Sequence, residues 1–136
     1  MKRILFDSDV IIDVMMQRQP FVFHSASALS TATNPDIEAY VAAHAVTNIF
    51  YIVRRQLGIA KTLEILDRLL QNLNVATVNH GIIRSALEST MTDFEDAVTS
   101  EAARVTGVEL IVTRNINDYA SSPVPAVLPE IFLTML

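Results

Sequence analysis

The sequence predicts an α/β fold with a mainly parallel central sheet flanked by helices, and three observations carry that expectation. Two short runs of unbroken apolar residues, Ile4-Leu5-Phe6 and Leu110-Ile111-Val112, suit strands buried on both faces, and each runs into a polar cluster. Two more β-prone segments, 37–41 and 75–78, lie between them, separated by stretches whose apolar residues recur at helical spacing. Such alternation of strand and helix is the pattern of parallel strands joined by right-handed crossovers.

Taken in order, Ile4-Leu5-Phe6 forms the first strand, Asp7-Ser8-Asp9 ends it, and Val10 to Met16 begins a helix. Asp7 therefore stands beyond the carboxyl end of a buried strand, where open α/β sheets bind ligands, although an Asp there also suits the cap of the next helix. Gln17 to Phe23 is broken by Pro20, and a second helix over 24–30 ends near Asn34-Pro35. Met15, Met16, Phe21 and Phe23 flank that break, as core packing or as a surface covered by a partner. The strand over 37–41 leads into a helix over 43–55, with Val46, Ile49, Phe50 and Val53 on one face and Gly58 as its stop. An amphipathic helix over 61–72, a strand over 75–78 and a helix over 81–88 follow. Asp93-Phe94-Glu95-Asp96 opens a helix that runs to about Thr106, with Asp96 opposite an apolar stripe of Phe94, Val98, Ala102 and Val105. The strand over 110–113 ends on Arg114-Asn115-Ile116-Asn117-Asp118, and the tail, with three of the five prolines, predicts a last edge strand at 124–127 and a short helix.

At 136 residues the chain is expected to be one domain, 1–136. Its apolar fraction is 51%, but no uninterrupted apolar stretch approaches the roughly 18 residues of a membrane helix, so no membrane association is expected. Lys2 and Arg3 precede only three apolar residues, too few for the apolar region of a signal peptide, so export is not expected. Zero cysteines exclude disulfides, thiol nucleophiles and thiolate metal sites, which is compatible with a cytoplasmic location. A net charge of −5 argues against a broad basic surface for nucleic acid, while leaving nucleic acid open as a substrate. Three glycines, none in a phosphate-binding loop, disfavour a dinucleotide fold.

Hard divalent cations take oxygen ligands, so Asp7, Asp96 and Asp118, helped by Asn115, are the candidate ligands of a Mg2+ or Mn2+ ion that supports phosphodiester hydrolysis. Each has a local alternative. Asp93 and Asp96 suit a helix cap and first turn, and Asn115 and Asp118 suit a turn after a strand. His24, His44 and His80 lack metal-ligand spacing, and Arg54-Arg55 suits a solvated helix face.

Residues 4–13, Thr47-Asn48-Ile49-Phe50-Tyr51, Asp93-Phe94-Glu95-Asp96-Ala97 and Ile111-Val112-Thr113-Arg114-Asn115 together resemble a PIN domain, in order and spacing, over nearly the whole chain. The resemblance implies a three-layer α/β nuclease fold, Mg2+- or Mn2+-dependent ribonuclease activity, a toxin's pairing with an antitoxin protein as in the VapC-like members, and homodimerisation. It matches Asp7 to the first acidic residue of the family and Asp96 to the acid that opens the later helix. Asn48 stands where many members carry glutamate, and Asn115 where aspartate often follows the strand. Asparagine offers a carbonyl oxygen without the charge of a carboxylate, so Asp118, Asp93 and Glu95, with Thr113 beside them, are the supporting candidates. Two alternatives remain open: a catalytically weak PIN domain that binds RNA or protein, and a haloacid-dehalogenase-type phosphatase, suggested by Asp7-Ser8-Asp9 and Thr113. The phosphatase wants a lysine at its phosphoryl group, and the only lysines are Lys2 and Lys61.

Overall fold

The computed structural model describes residues 2–136 and carries the strands β1 (Lys2–Phe6), β2 (Ile37–Ala42), β3 (Asn74–Ala76), β4 (Leu110–Val112) and β5 (Ala126–Val127). Its helices are α1 (Ser8–Met15), α2 (Val22–Ser30), α3 (Ala43–Leu57), α4 (Ile59–Leu69), α5 (His80–Leu87), α6 (Phe94–Thr106) and α7 (Pro129–Thr134). Short 3-10 turns span Thr31–Thr33 and Ile116–Tyr119. All the strand pairs are parallel, in the order β3-β2-β1-β4-β5. The predicted architecture is therefore present, and its sheet is wholly parallel rather than mainly so.

That order reverses direction at β1. The chain steps outward through β2 and β3 on one side, then crosses back to lay β4 and β5 on the other. A crevice opens at such a reversal, between the carboxyl ends of the two strands that flank it. Here those strands are β1 and β4, registered Ile4 to Leu110, Leu5 to Ile111 and Phe6 to Val112. Leu5, Phe6, Ile111 and Val112 are fully buried, as expected of central strands covered by helices on both faces.

The helices follow the sequence reading except on α6. Phe94 and Val105, expected on its apolar stripe, are 49% and 57% exposed, whereas Asp96 is buried with Ala97, Val98, Thr99, Ser100, Ala102 and Ala103. The reason is packing distance. α6 lies closely against α5 and reaches the sheet through small side chains, so bulky residues at its two ends are left outside. Gly107 ends α6 in the left-handed conformation, at φ 80°, a position that suits glycine.

One buried charge locks the elements around β4. Asp13, on the inward face of α1, has no exposed surface. It accepts two hydrogen bonds from Arg114, at 2.7 Å from Nε and 3.0 Å from Nη2, and one from Ser25 Oγ of α2 at 3.0 Å. A buried carboxylate is tolerable when its oxygens are filled in this way. Removing one partner leaves an uncompensated charge, so Arg114→Ala is expected to lower unfolding stability by about 3–5 kcal/mol in a denaturant titration. A loss under about 1 kcal/mol would show that the pair carries little of the fold.

Candidate active site

Asp7 follows β1 directly, and its backbone N–H continues the ladder by donating to Val112 O of β4 at 3.0 Å. Its side chain is the cap of α1, accepting from Ser8 N at 2.8 Å through Oδ1. Oδ2 takes two further donors, the Thr113 hydroxyl at 2.9 Å and the Tyr119 hydroxyl at 3.1 Å. Capping and site-building are thus the same geometry, and the two readings of Asp7 were never exclusive.

The Tyr119 hydroxyl also lies 3.3 Å from Asp96 Oδ1, so the two carboxylates flank one phenol oxygen. A phenol has one proton to donate, so it bonds both carboxyls at once only when one of them is protonated and donates back. Asp96 comes from the first turn of α6, whose cap is Asp93; the Asp93 side chain accepts from Asp96 N at 3.0 Å. Asp118 joins from the 3-10 turn after β4, and one oxygen each of Asp93, Asp96 and Asp118 lies within 4.8 Å of the others. Oxygens on opposite sides of one Mg2+ stand about 4.2 Å apart, and around one Ca2+ about 5 Å, so the spread suits a single divalent ion with water completing the shell.

The electrostatics suit a cation too. Among the described residues, no Lys or Arg forms an ion pair with Asp7, Asp93, Asp96 or Asp118. Burial, helped by the charges of Asp7 and Asp93, pushes the Asp96 carboxyl up to about 7. Burial raises Asp7 as well, against the lowering effect of its bonds from Thr113, Ser8 and Tyr119, and Glu95 adds a smaller upward push. Asp9, held by Arg114 N at 2.9 Å and Val10 N at 2.7 Å, is raised to about 6 by burial and by Asp7. Tyr119 is itself raised by burial and by both carboxylates, so it stays a neutral donor.

Of the residues singled out in the sequence, Asp7, Asp93, Asp96, Thr113 and Asp118 converge on this crevice. Glu95 is exposed at the rim. Asn115 is exposed, with its backbone N–H bonded to Thr113 Oγ1 at 3.0 Å, and among the described residues its side chain makes no hydrogen bond. Asn48, half-buried on α3, makes none either; one turn earlier, His44 Nε2 meets Thr99 Oγ1 of α6 at 3.1 Å. Both lysines lie elsewhere, Lys2 at the opposite end of β1 and Lys61 on α4, so the phosphatase alternative lacks its phosphoryl-holding cation. Tyr119 is the residue that sequence reasoning missed. Its only signal is a place next to Asp118 in a polar turn, which does not distinguish it from a core tyrosine.

The family model of the PIN domain matches residues 3–117. No curated protein matches by sequence. Among solved structures, the chain is similar to a toxin-antitoxin complex from Klebsiella pneumoniae, at 21% identity and TM-score 0.69, over 92% of this chain and 96% of that one. It is similar to VapBC2 from Rickettsia felis bound to a DNA fragment from its promoter, at 12% identity and TM-score 0.70, over 93% and 98%. A third is the Mycobacterium tuberculosis toxin VapC20, described as cleaving the sarcin-ricin loop, at 15% identity and TM-score 0.65, over 79% and 86%. At these identities the structural likenesses establish the shared fold.

The raised carboxyls hold their protons more tightly in the folded than in the unfolded chain, so the stability they contribute is fully present below about pH 4 and is lost as pH rises through about 6 and 7. Metal-free protein should therefore melt at a lower temperature at about pH 8 than at about pH 5, and Asp96→Asn should flatten much of that slope. A melting temperature that climbs over the same range would contradict the assignment. Tyr119→Phe, which keeps the ring and removes the donor to Asp7, should weaken Mn2+ binding about tenfold by calorimetry, and unchanged affinity would show that the phenol does not orient the carboxylates.

Proposed function

The chain belongs to the PIN domain family, and from that premise we propose that it is a divalent-metal-dependent endoribonuclease, the toxin of a toxin-antitoxin pair. The observation that carries the reading is the meeting of carboxylates at the reversal point of the sheet: Asp7 and Asp96 flank the Tyr119 hydroxyl, and Asp96 groups in turn with Asp93 and Asp118.

Asp7, Asp96 and Asp118 are the principal ligands in this reading, with Asp93 beside them and Asn115 at the edge. A bound Mg2+ or Mn2+ would supply a Lewis acid for the phosphodiester and lower the pKa of the attacking water. The protein's own part is orientation. Thr113, Ser8 and Tyr119 fix the Asp7 carboxylate from three directions, and the Asp93 cap fixes the first turn of α6 that carries Asp96. Four carboxylates supply the negative charge that Asn48 and Asn115 lack, which favours the enzyme over a catalytically weak binding module. An RNA phosphate approaching these acids meets repulsion until a cation is in place, so metal and substrate bind in support of each other.

The antitoxin partner is supported by the toxin-antitoxin complexes among the structural neighbours. Homodimerisation is supported by apolar residues left on the outside of α3 and α4, where Ile52, Ile59 and Leu63 are 43%, 59% and 53% exposed. The direct test is purified protein on RNA with Mn2+. Cleavage is expected for wild type, reduced by about 100-fold or more in Asp7→Asn and Asp96→Asn and abolished by chelation. Equal cleavage by all three proteins would refute the assignment.

A further inference from the structure

Beside the carboxylates lies a second recess that catalysis leaves unused. It is a cavity of about 300 Å3 whose lining includes Pro20, Phe21, His24, Ser25, Arg114 and Glu130. Its location follows from the strand end already described. Thr113 bonds Asp7, and the next residue, Arg114, bonds Asp9 through its backbone and sends its side chain along α1 to Asp13. Arg114 is therefore the residue that links the cavity to the carboxylate crevice, its main chain on Asp9 and its side chain in the lining.

Its floor is rigid. The two-pronged bond to buried Asp13 fixes the plane of the Arg114 guanidinium, and the Phe21 ring packs against it, with its centroid 3.8 Å from Cζ. Phe21 stays 38% exposed although it is fixed in this way. Aromatic rings and guanidinium planes are the surfaces on which unpaired nucleobases stack.

The charges select among ligands. Arg114 is paired with Asp13 and Glu130 adds a carboxylate to the lining, so no Lys or unpaired Arg is left there to hold a phosphate, and His24 is the one other basic side chain of the recess. The recess favours instead a flat, neutral group that stacks on Phe21 and presents N–H donors to Glu130. Guanine offers two adjacent donors, N1–H and the exocyclic amine, which match the two oxygens of a carboxylate. We propose that the recess bounded by Phe21, Arg114 and Glu130 is a nucleobase pocket that selects guanine beside the scissile phosphate. The inference rests on the RNA reading of the neighbouring carboxylates, and it is testable without cleavage.

The test is an amide-resonance titration of metal-free wild-type protein with guanosine, inosine and uridine, which lack phosphate and so avoid the acidic cluster. Guanosine is expected to shift the amides of Phe21, His24, Arg114 and Glu130, inosine to bind several-fold more weakly for want of the amine, and uridine to bind more weakly still. Glu130→Gln should erase the difference between guanosine and inosine, and Phe21→Ala should weaken all three nucleosides by about tenfold. The Gln variant alters an exposed side chain and keeps the test valid if Phe21→Ala unfolds. Shifts that are absent, equal for the three nucleosides or unchanged by Glu130→Gln overturn the proposal. So does a pocket that responds to N-acetyl-arginine amide and not to guanosine, which would assign it to a protein partner. Because the probes are neither cleaved nor charged, a protein that binds guanosine and hydrolyses no RNA would lose the nuclease assignment alone, and the converse result would lose the pocket alone.

Discussion

The structure depends on one alignment, the parallel pairing of β1 with β4. Three registered residue pairs set Phe6 level with Val112, and the Asp7 amide closes the ladder on the Val112 carbonyl. A slip of one residue would turn every side chain on the slipped strand to the opposite face, exchanging the sets that pack against the two helical layers. It would also separate Asp7 from Thr113. The hydrophobic core thus enforces the register, and the register delivers polar groups to the crevice without any local preference for that arrangement.

Strand and helix positions were legible because the periodicities are strong: the apolar runs ending at Phe6 and Val112 and the stop at Gly107 are local signals. Asp7 and Asp96 were legible as candidates because each sits where a known element begins or ends. What the sequence concealed depends on neighbours. The buried side of α6 is set by the small residues Ala97, Ala102 and Ala103, which a hydrophobicity pattern undervalues, so the larger Phe94 and Val105 misled the wheel. Tyr119 matters through a hydroxyl between two acids remote in sequence, and no periodicity encodes that. Asp13 illustrates the same limit, since a lone acid in an apolar helix gives no hint that Arg114, a hundred-odd residues later, will meet it.

Two carboxylates on one short helix meet opposite fates. Asp13 is neutralised by an arginine, whereas Asp9, one turn earlier, receives only backbone amides and a distant hydroxyl. Arg114 passes the acidic crevice through its main chain and commits its charge beyond it. Its course stabilises the scaffold and leaves the crevice electrically unsatisfied, the division expected where stability is provided by one part of a fold and chemistry by another. A lysine or arginine directed at Asp96 would make a calmer protein and a poorer host for a cation.

The two outermost strands have a separate consequence. β3 has three residues and β5 only two, with Pro125 just before the latter. Rims this short expose too few free amides to template the growth of a foreign strand, so the apolar, all-parallel interior is shielded from fibril-like stacking by its own brevity.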